Sequence, residues 1–210
     1  MSTPFILASG SPRRKDLLAS LGLAFECEIP RIPETRRQGE SPVDFALRLA
    51  EEKAAVVSER IARRLPVLAA DTVVFIGQEI LDKPSDQEDA ARILRTLSGV
   101  THEVVTGVAA ANGSRIHRSA VVTRVRFREL EDAEIRWYCE TGEPMDKAGA
   151  YAIQGIGNFL VESIDGSPSN VIGLPLAEAL GLLAAVGVSP PWRAAGSRNR
   201  LADPRNGDNP

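Results

Sequence analysis

Only two cysteines and two histidines occur in the 210 residues, and their placement excludes most of the chemistry those side chains carry. Cys27 and Cys139 stand far apart with no C-x-x-C spacing, so the expected state is two reduced, partly buried thiols and not a disulfide framework or a redox pair. His102 and His117 lack the i, i+4 spacing that sets two imidazoles on one helix face around a metal. A metal bound here has to be a hard cation held by oxygen. An excess of one charge is missing too. With 25 basic and 28 acidic residues the formal net charge is −3, a field that draws the chain toward neither nucleic acid nor an anionic membrane. Any anion site has to be built locally. Long apolar runs are also lacking: the longest, "VIGLPLAEALGLLAAVGV" at 171–188, is interrupted by Pro175 and Glu178. It sits at the lower edge of the ~17–25 residues that cross a bilayer and reads as a soluble helix. No basic segment followed by an apolar one opens the chain, so the expected compartment is the cytoplasm. Familiar fingerprints are absent as well. There is no P-loop, no G-x-S-x-G elbow and no H-E-x-x-H, and Gly155-x-Gly157 lacks the third glycine of a dinucleotide site.

What is present is a chain that is 43% hydrophobic, enough for a core, in which β-like apolar runs alternate with helical periodicity. That pattern predicts an α/β or α+β domain. Strands are expected at 5–8, at 66–70 continuing through 72–76, at 102–111, in part of 116–128, and at 159–164. Helices are expected at 12–21, 42–64, 87–97, 132–141 and 175–186. The helix at 42–64 is well signalled, with Ser41 as a cap, Pro42 at the first helical position, and Phe45, Leu49, Ala50, Lys53 and Ala54 at helical spacing. A single domain spans 1–188. The remainder, 189–210, is rich in Pro, Gly, Arg and Asn without periodicity, and is expected to be a disordered tail.

Three stretches concentrate polar side chains where a core alone does not need them. In "ILASGSPRRKDLLASLG", 6–22, a strand runs into the turn Ser9-Gly10-Ser11 and then a helix that opens on Arg13 and Arg14. Cations are electrostatically misplaced at a helix N-terminus unless an anion joins them, so the turn and its arginines read as a cradle for phosphate or carboxylate. One such arginine could equally be a surface charge; two after a small-residue turn favour the cradle. In "VLAADTVVFIG", 67–77, Asp71 interrupts an apolar run, where an unpaired carboxylate is costly. It is either a turn residue or a metal ligand or general base. Glu34, on a polar loop, is a candidate second carboxylate. Lys53 lies on the buried-looking stripe of its helix, where it must snorkel or meet an anion, and Lys83 sits in the turn "LDKP". Together these residues supply hard oxygens for a divalent ion and fixed cations for a polyphosphate. The third stretch, 142–167, is dense in glycine and carries Asp146, Lys147 and Gln154.

The series "LASGSPRRKDLLASLG", "ESPVDFALRLAEEKA", "AADTVV", "LDKP", "LSGVTHEVVTGV", "GEPMDKAGAYAIQGIG" and "VIGLPL", in that order along about 5–185, resembles the Maf family of nucleoside triphosphate pyrophosphatases, once named as septum-formation inhibitors. The resemblance implies an α/β fold shared with inosine triphosphate pyrophosphatases, with a long mixed sheet, a cleft between two lobes and often a homodimer. "DTVV" and "DKAGAYAIQG" look like the dTTP/UTP branch. By position the resemblance implies that Asp71 is catalytic, that Arg13, Thr72 and Gln154 select the substrate, and that Ser9, Arg13, Arg14, Lys53 and Lys83 bind phosphate. It further implies that Asp71 and Glu34 hold Mg²⁺ or Mn²⁺. Pro33 stands where the family often has an aspartate before that glutamate, which removes a second loop carboxylate. The expected activity is hydrolysis of dTTP or UTP, or of modified pyrimidine nucleotides, between the α and β phosphates. A non-catalytic, nucleotide-sensing regulator of cell division is the rival.

Overall fold

Along the strand formed by Val67–Ile76, residues alternate between two faces of a sheet, and both faces are apolar. Such a strand has to be covered on both sides, and the rest of the chain does this. The structure, a computed structural model, describes residues 4–190 and Trp192, so most of the expected tail at 189–210 lies outside the described residues. Seven strands, β1 (Phe5–Ala8), β2 (Phe25–Cys27), β3 (Val67–Ile76), β4 (Glu79–Leu81), β5 (Thr101–Asn112), β6 (Arg115–Phe127) and β7 (Val161–Asp165), build one sheet. Their order is β2-β1-β3-β5-β6-β7, with β4 beside the far half of β3. β1 runs parallel to β2 and β3, and the other pairings are antiparallel, so the long mixed sheet is as expected. The helices are α1 (Pro12–Ser20), α2 (Pro42–Arg60), α3 (Gln87–Leu97), α4 (Asp132–Glu140), α5 (Pro168–Ile172) and α6 (Leu176–Ala185).

One face of the sheet belongs to α2. Val67 and Ala69 pack with Ala50, Ala54 and Val57, while Val73 and Phe75 pack with Phe45, Ala46 and Leu49. On the opposite face two separate lobes sit side by side. Leu68 and Ala70 join Leu18, Leu174, Ala179 and Leu183, whereas Val74 joins Leu94, Leu97, Ile135 and Tyr138. Thr72 lies between these two clusters, and the cleft opens above it.

Several boundaries differ from the expectation for local reasons. The strand expected to continue from 66–70 through 72–76 does so without a break, because Asp71 pairs in register with Gly107, and of the two readings of Asp71 the turn residue is excluded. α2 begins as predicted, with Ser41 Oγ accepting from Asp44 N–H at 3.1 Å, but it ends at Arg60, since Ala62 and Arg63 take left-handed backbone (φ 54° and 56°). β7 starts at Val161, two residues late, because Phe159 and Leu160 close a 3₁₀ turn (Ile156–Leu160). β2, β4 and α5 were not anticipated; elements of three to five residues leave too little period to read. Cys139 is buried, but Cys27 is exposed, a correction that follows from its place on β2 at the edge of the sheet.

Gly107 decides how closely α2 can lie. A Cβ there would come within 2.4 Å of the Ala46 carbonyl oxygen and 2.7 Å of Leu47 Cα, both backbone atoms with no freedom to swing away. Its absence lets α2 settle on the sheet opposite Asp71. Gly107→Ala is therefore expected to lower stability by about 1–3 kcal/mol through forced overpacking. Urea unfolding measures this, and a change of under about 0.5 kcal/mol, the size of an ordinary surface substitution, would show that the helix does not depend on this close approach.

Candidate active site

β1 stops at Ala8, paired with Ala69, and β4 joins β3 only at Val74, paired with Leu81. Between them the edge of β3 at 70–73 faces no strand, and a cavity of about 600 Å³ opens against it. That volume lies within the usual range for a small-molecule site. Strand alternation sends Asp71 toward α2 and Thr72 toward the lobed face, and the gap gives the cavity access to both. All the residues singled out in the sequence line it: Ser9, Arg13, Arg14, Glu34, Lys53, Asp71, Thr72, Lys83 and Gln154.

Lys53 joins the two carboxylates. Its Nζ donates to Asp71 Oδ1 at 2.6 Å and lies 2.7 Å from Glu34 Oε1. Lys53 and Asp71 are buried, at 6% and 8% exposure, while the Glu34 side chain is half exposed at the cavity wall. Burial pushes the Asp71 carboxyl up from its ordinary value, against the opposing pull of Lys53 and then Arg14. The Glu34 loop is pinned from below, because Arg48 on α2 donates to both carboxylate oxygens of Glu40, at 2.6 and 2.8 Å, and to the Thr35 carbonyl at 3.0 Å. Paired to Arg48, Glu40 is held down at about 2. Neither Arg48 nor Glu40 was picked out from the sequence, where both read as ordinary charges of an amphipathic helix and its leading loop.

The two arginines of α1 divide. Arg14 turns inward: Nε donates to the Gly173 carbonyl at 2.7 Å, Nη1 to Ser9 Oγ at 3.2 Å, and Nη2 to Thr72 Oγ1 at 3.0 Å. Burial lowers its pKa, with Asp71 working the other way. Thr72 Oγ1 is in turn 2.9 Å from Thr106 Oγ1, which donates to the Asn170 carbonyl. Arg13 instead reaches over the cleft to Asp146, with 3.6 Å between Nη1 and Oδ2, and Lys147 also pairs with Asp146. Ser11 has the extended backbone of an N-cap but its side chain makes no cap bond, so the first turn of α1 keeps open donors beside Pro12. Lys83 and Gln154 are exposed at the cavity and make no hydrogen bond or ion pair among the described residues. Such a cleft can take an extended polyanion along its cations while presenting two carboxylates to the reacting centre.

An α/β domain whose sheet edge opens into a cation-lined cleft around paired carboxylates is thus the class of protein in hand. The family model described as Maf-like protein matches residues 4–186, and the chain belongs to the Maf family. It is 51% identical over 193 residues to a protein of Myxococcus xanthus (strain DK1622) named dTTP/UTP pyrophosphatase, covering 92% of this chain and 97% of that relative. It is 51% identical over 181 residues to the dTTP/UTP pyrophosphatase of Escherichia coli O157:H7, covering 86% and 92%. Among solved structures, the nucleoside-triphosphatase / dITP/XTP pyrophosphatase of Mycobacterium abscessus is similar at a TM-score of 0.43 and 14% identity, over 95% of this chain and all of that one.

The floor of the second lobe contains a titrating group of its own. His102 is buried, with its Nε2 2.9 Å from the Tyr151 hydroxyl and its ring edge-on to Phe127 and Tyr151. Burial lowers its pKa to about 4. The unfolded chain takes up a proton near pH 6.5 that the folded protein refuses until about pH 4, so His102 favours folding fully above pH 7 and progressively less as pH falls. Between pH 7 and 5 the loss is expected to be about 2 kcal/mol. Urea unfolding at both pH values checks it, and His102→Gln, which does not titrate, should lose correspondingly less.

Proposed function

We propose that this chain hydrolyses dTTP and UTP between the α and β phosphates, releasing the nucleoside monophosphate and pyrophosphate. The observation that carries the reading is the Asp71–Lys53–Glu34 cluster facing the open edge of β3 inside a cation-lined cleft. The shared name of relatives 51% identical over nearly the whole chain supports it and does not favour a regulator without catalysis.

In this reaction water attacks the α phosphorus in line with the bridging oxygen, which leaves with its electron pair on pyrophosphate. Asp71 accepts the proton of that water. Burial raises its pKa, the direction that makes a carboxylate a stronger base. Arg13 and Lys83 from the two sides of the cleft, with Lys53 and the first turn of α1, neutralise the polyphosphate, and Arg14 and Ser9 hold that turn in place. Modified pyrimidine nucleotides fit the same chemistry, which would make the enzyme a guardian of nucleotide pools.

A divalent cation fits the donor set. Asp71 and Glu34 already converge on one positive centre, the Lys53 ammonium, at 2.6 and 2.7 Å. Among the described residues no group of three or more His, Cys, Asp or Glu side chains gathers, so the remaining ligands would be phosphate oxygens and water, as Mg²⁺ commonly prefers. Bound there, Mg²⁺ or Mn²⁺ supplies charge neutralisation at the phosphates.

Gln154 reads the base in this proposal. Uracil and thymine offer an N3–H donor flanked by carbonyl acceptors, which a carboxamide can meet with an acceptor and a donor side by side. Cytosine reverses that pattern. A cytoplasmic location, no nucleic-acid or membrane partner and a homodimer belong to the same reading. It is supported by the near-neutral charge, by family resemblance, and by the fact that no helix among the described residues is long and apolar enough to cross a membrane.

A panel of canonical and modified nucleoside triphosphates, assayed for pyrophosphate with Mg²⁺, with Mn²⁺ and with a chelator, tests the assignment. Asp71→Asn should abolish release while the fold stays intact by circular dichroism. Survival of more than about a tenth of the wild-type rate, a barrier rise of under about 1.4 kcal/mol, would remove Asp71 from the chemistry.

A further inference from the structure

Gln154 lies on a glycine-rich loop, and a base reader needs its backbone held at a constant place opposite the base. The loop is fixed from beneath by a carboxylate. Glu143 Oε1 accepts from the Gly157 backbone N–H at 2.8 Å and from the Tyr138 hydroxyl at 2.8 Å, and Oε2 accepts from the Ile156 N–H at 3.0 Å. The same Tyr138 hydroxyl accepts from the Ala152 N–H at 3.3 Å. Backbone on both sides of Gln154 is therefore tied to one pair of side chains, and Tyr138 is fully buried in the core of the second lobe.

The glycines of "QGIG" record the same constraint. A Cβ at residue 155 would lie 2.1 Å from Glu143 Oε2, and one at residue 157 would lie 2.4 Å from the Tyr138 hydroxyl oxygen. The loop has no side chain at these two positions because the bracket occupies their space. Three donors converge on Glu143, which suits an acceptor-only group. Burial raises its pKa, but the bonds from Gly157, Tyr138 and Ile156 prevail and hold it below the usual carboxylate range.

We propose that Glu143, linked to Tyr138, is the positioning residue that holds Gln154 in register with the pyrimidine base. This rests on the reading of Gln154 as base reader. Glu143 makes no contact with the base; it acts through the loop. A glutamine in its place keeps the size but turns an NH₂ toward a backbone donor, so one tie is lost and the loop loosens.

The test is a double-mutant cycle on the full chain with Mg²⁺, measuring kcat/KM for UTP and CTP in wild type, Glu143→Gln, Gln154→Ala and the double variant. The expected result is that each single change lowers the UTP-over-CTP ratio by about tenfold, the scale of one mispaired polar group, and that the double variant falls no further than Gln154→Ala. Amide exchange at Ile156 and Gly157 should quicken in Glu143→Gln. A ratio that falls in Gln154→Ala but not in Glu143→Gln overturns the role of Glu143 and leaves base reading intact. Equal losses on both substrates in Glu143→Gln, with the ratio constant, overturn it as well. A ratio unmoved by Gln154→Ala overturns base reading and this inference with it. Should Glu143→Gln fail to fold, Tyr138→Phe keeps the buried ring, removes the hydroxyl link, and is expected to lower the ratio by a smaller factor; an unchanged ratio there overturns the bracket.

Discussion

The ammonium of Lys53, buried between Asp71 and Glu34, is the interaction on which the rest of the site depends. A lysine taken out of water is costly, as is an aspartate, and neither would be tolerated in this interior alone. Each is the other's compensation. The pair carries one negative charge in excess once Glu34 joins, so it cannot attract a polyphosphate by itself. In the proposed function that task falls to Arg13 on one wall and Lys83 on the other, which stand around it along the cleft. On that proposal attraction and reaction are separated in space while sharing one cavity.

Keeping Lys53 and Asp71 within 2.6 Å is a problem of helix-to-sheet distance, and its solution lies on a strand that contributes no chemistry. Gly107 is the register partner of Asp71 and the point where α2 backbone touches β5, so the same residue sets the height of the helix and neighbours the buried carboxylate. The gap between Ala8 and Leu81 along the edge of β3 does the remaining work. A central strand in a sheet this size would normally present no free edge. Here β1 ends early to feed the turn into α1, and β4 arrives late, so Asp71, Thr72 and Val73 of a core strand line the cleft.

Much of this could be read from residue order. The helix start at Ser41-Pro42, the apolar runs of β3 and β5, and the anomaly of an acid in "VLAADTVV" follow from capping chemistry, period and the cost of a buried charge. Position along α2 placed Lys53 on the inward stripe, and an inward lysine has to meet an anion. Which anion it meets was illegible, because that depends on a register between Asp71 and Gly107 fixed by pairing over 36 residues of sequence. The role of Glu143 was illegible for a similar reason. Its partners are two backbone N–H groups and a tyrosine hydroxyl, and nothing in the residue types of Ile156 or Gly157 advertises a donor pointing downward. Arg48 carried no signal either, since a charge on a helix is the commonest thing a helix carries.

Arg13 and Arg14 show how adjacent identical residues come to different uses. Successive positions on a helix diverge by about 100°, so when one side chain faces the sheet its neighbour faces along the cleft. Arg14 takes the inward direction and spends three donors on Ser9, Thr72 and the Gly173 carbonyl, tying β1, β3 and the end of α5 to one guanidinium. That arrangement calls for Arg in particular, because three directional bonds in one plane exceed what the point charge of a lysine can organise. Arg13, held among the described residues only by a 3.6 Å pairing with the mostly exposed Asp146, keeps its charge available to the cleft. Asp146 and Lys147 pair with each other on the opposite wall, so the charge that meets Arg13 is already half neutralised. The exposed pairing is weak for that reason as well as for screening by solvent. A polyphosphate entering between the walls, as the proposed function requires, would compete for Arg13 against a partner that holds it loosely, while the brace made by Arg14 stays in place beneath it.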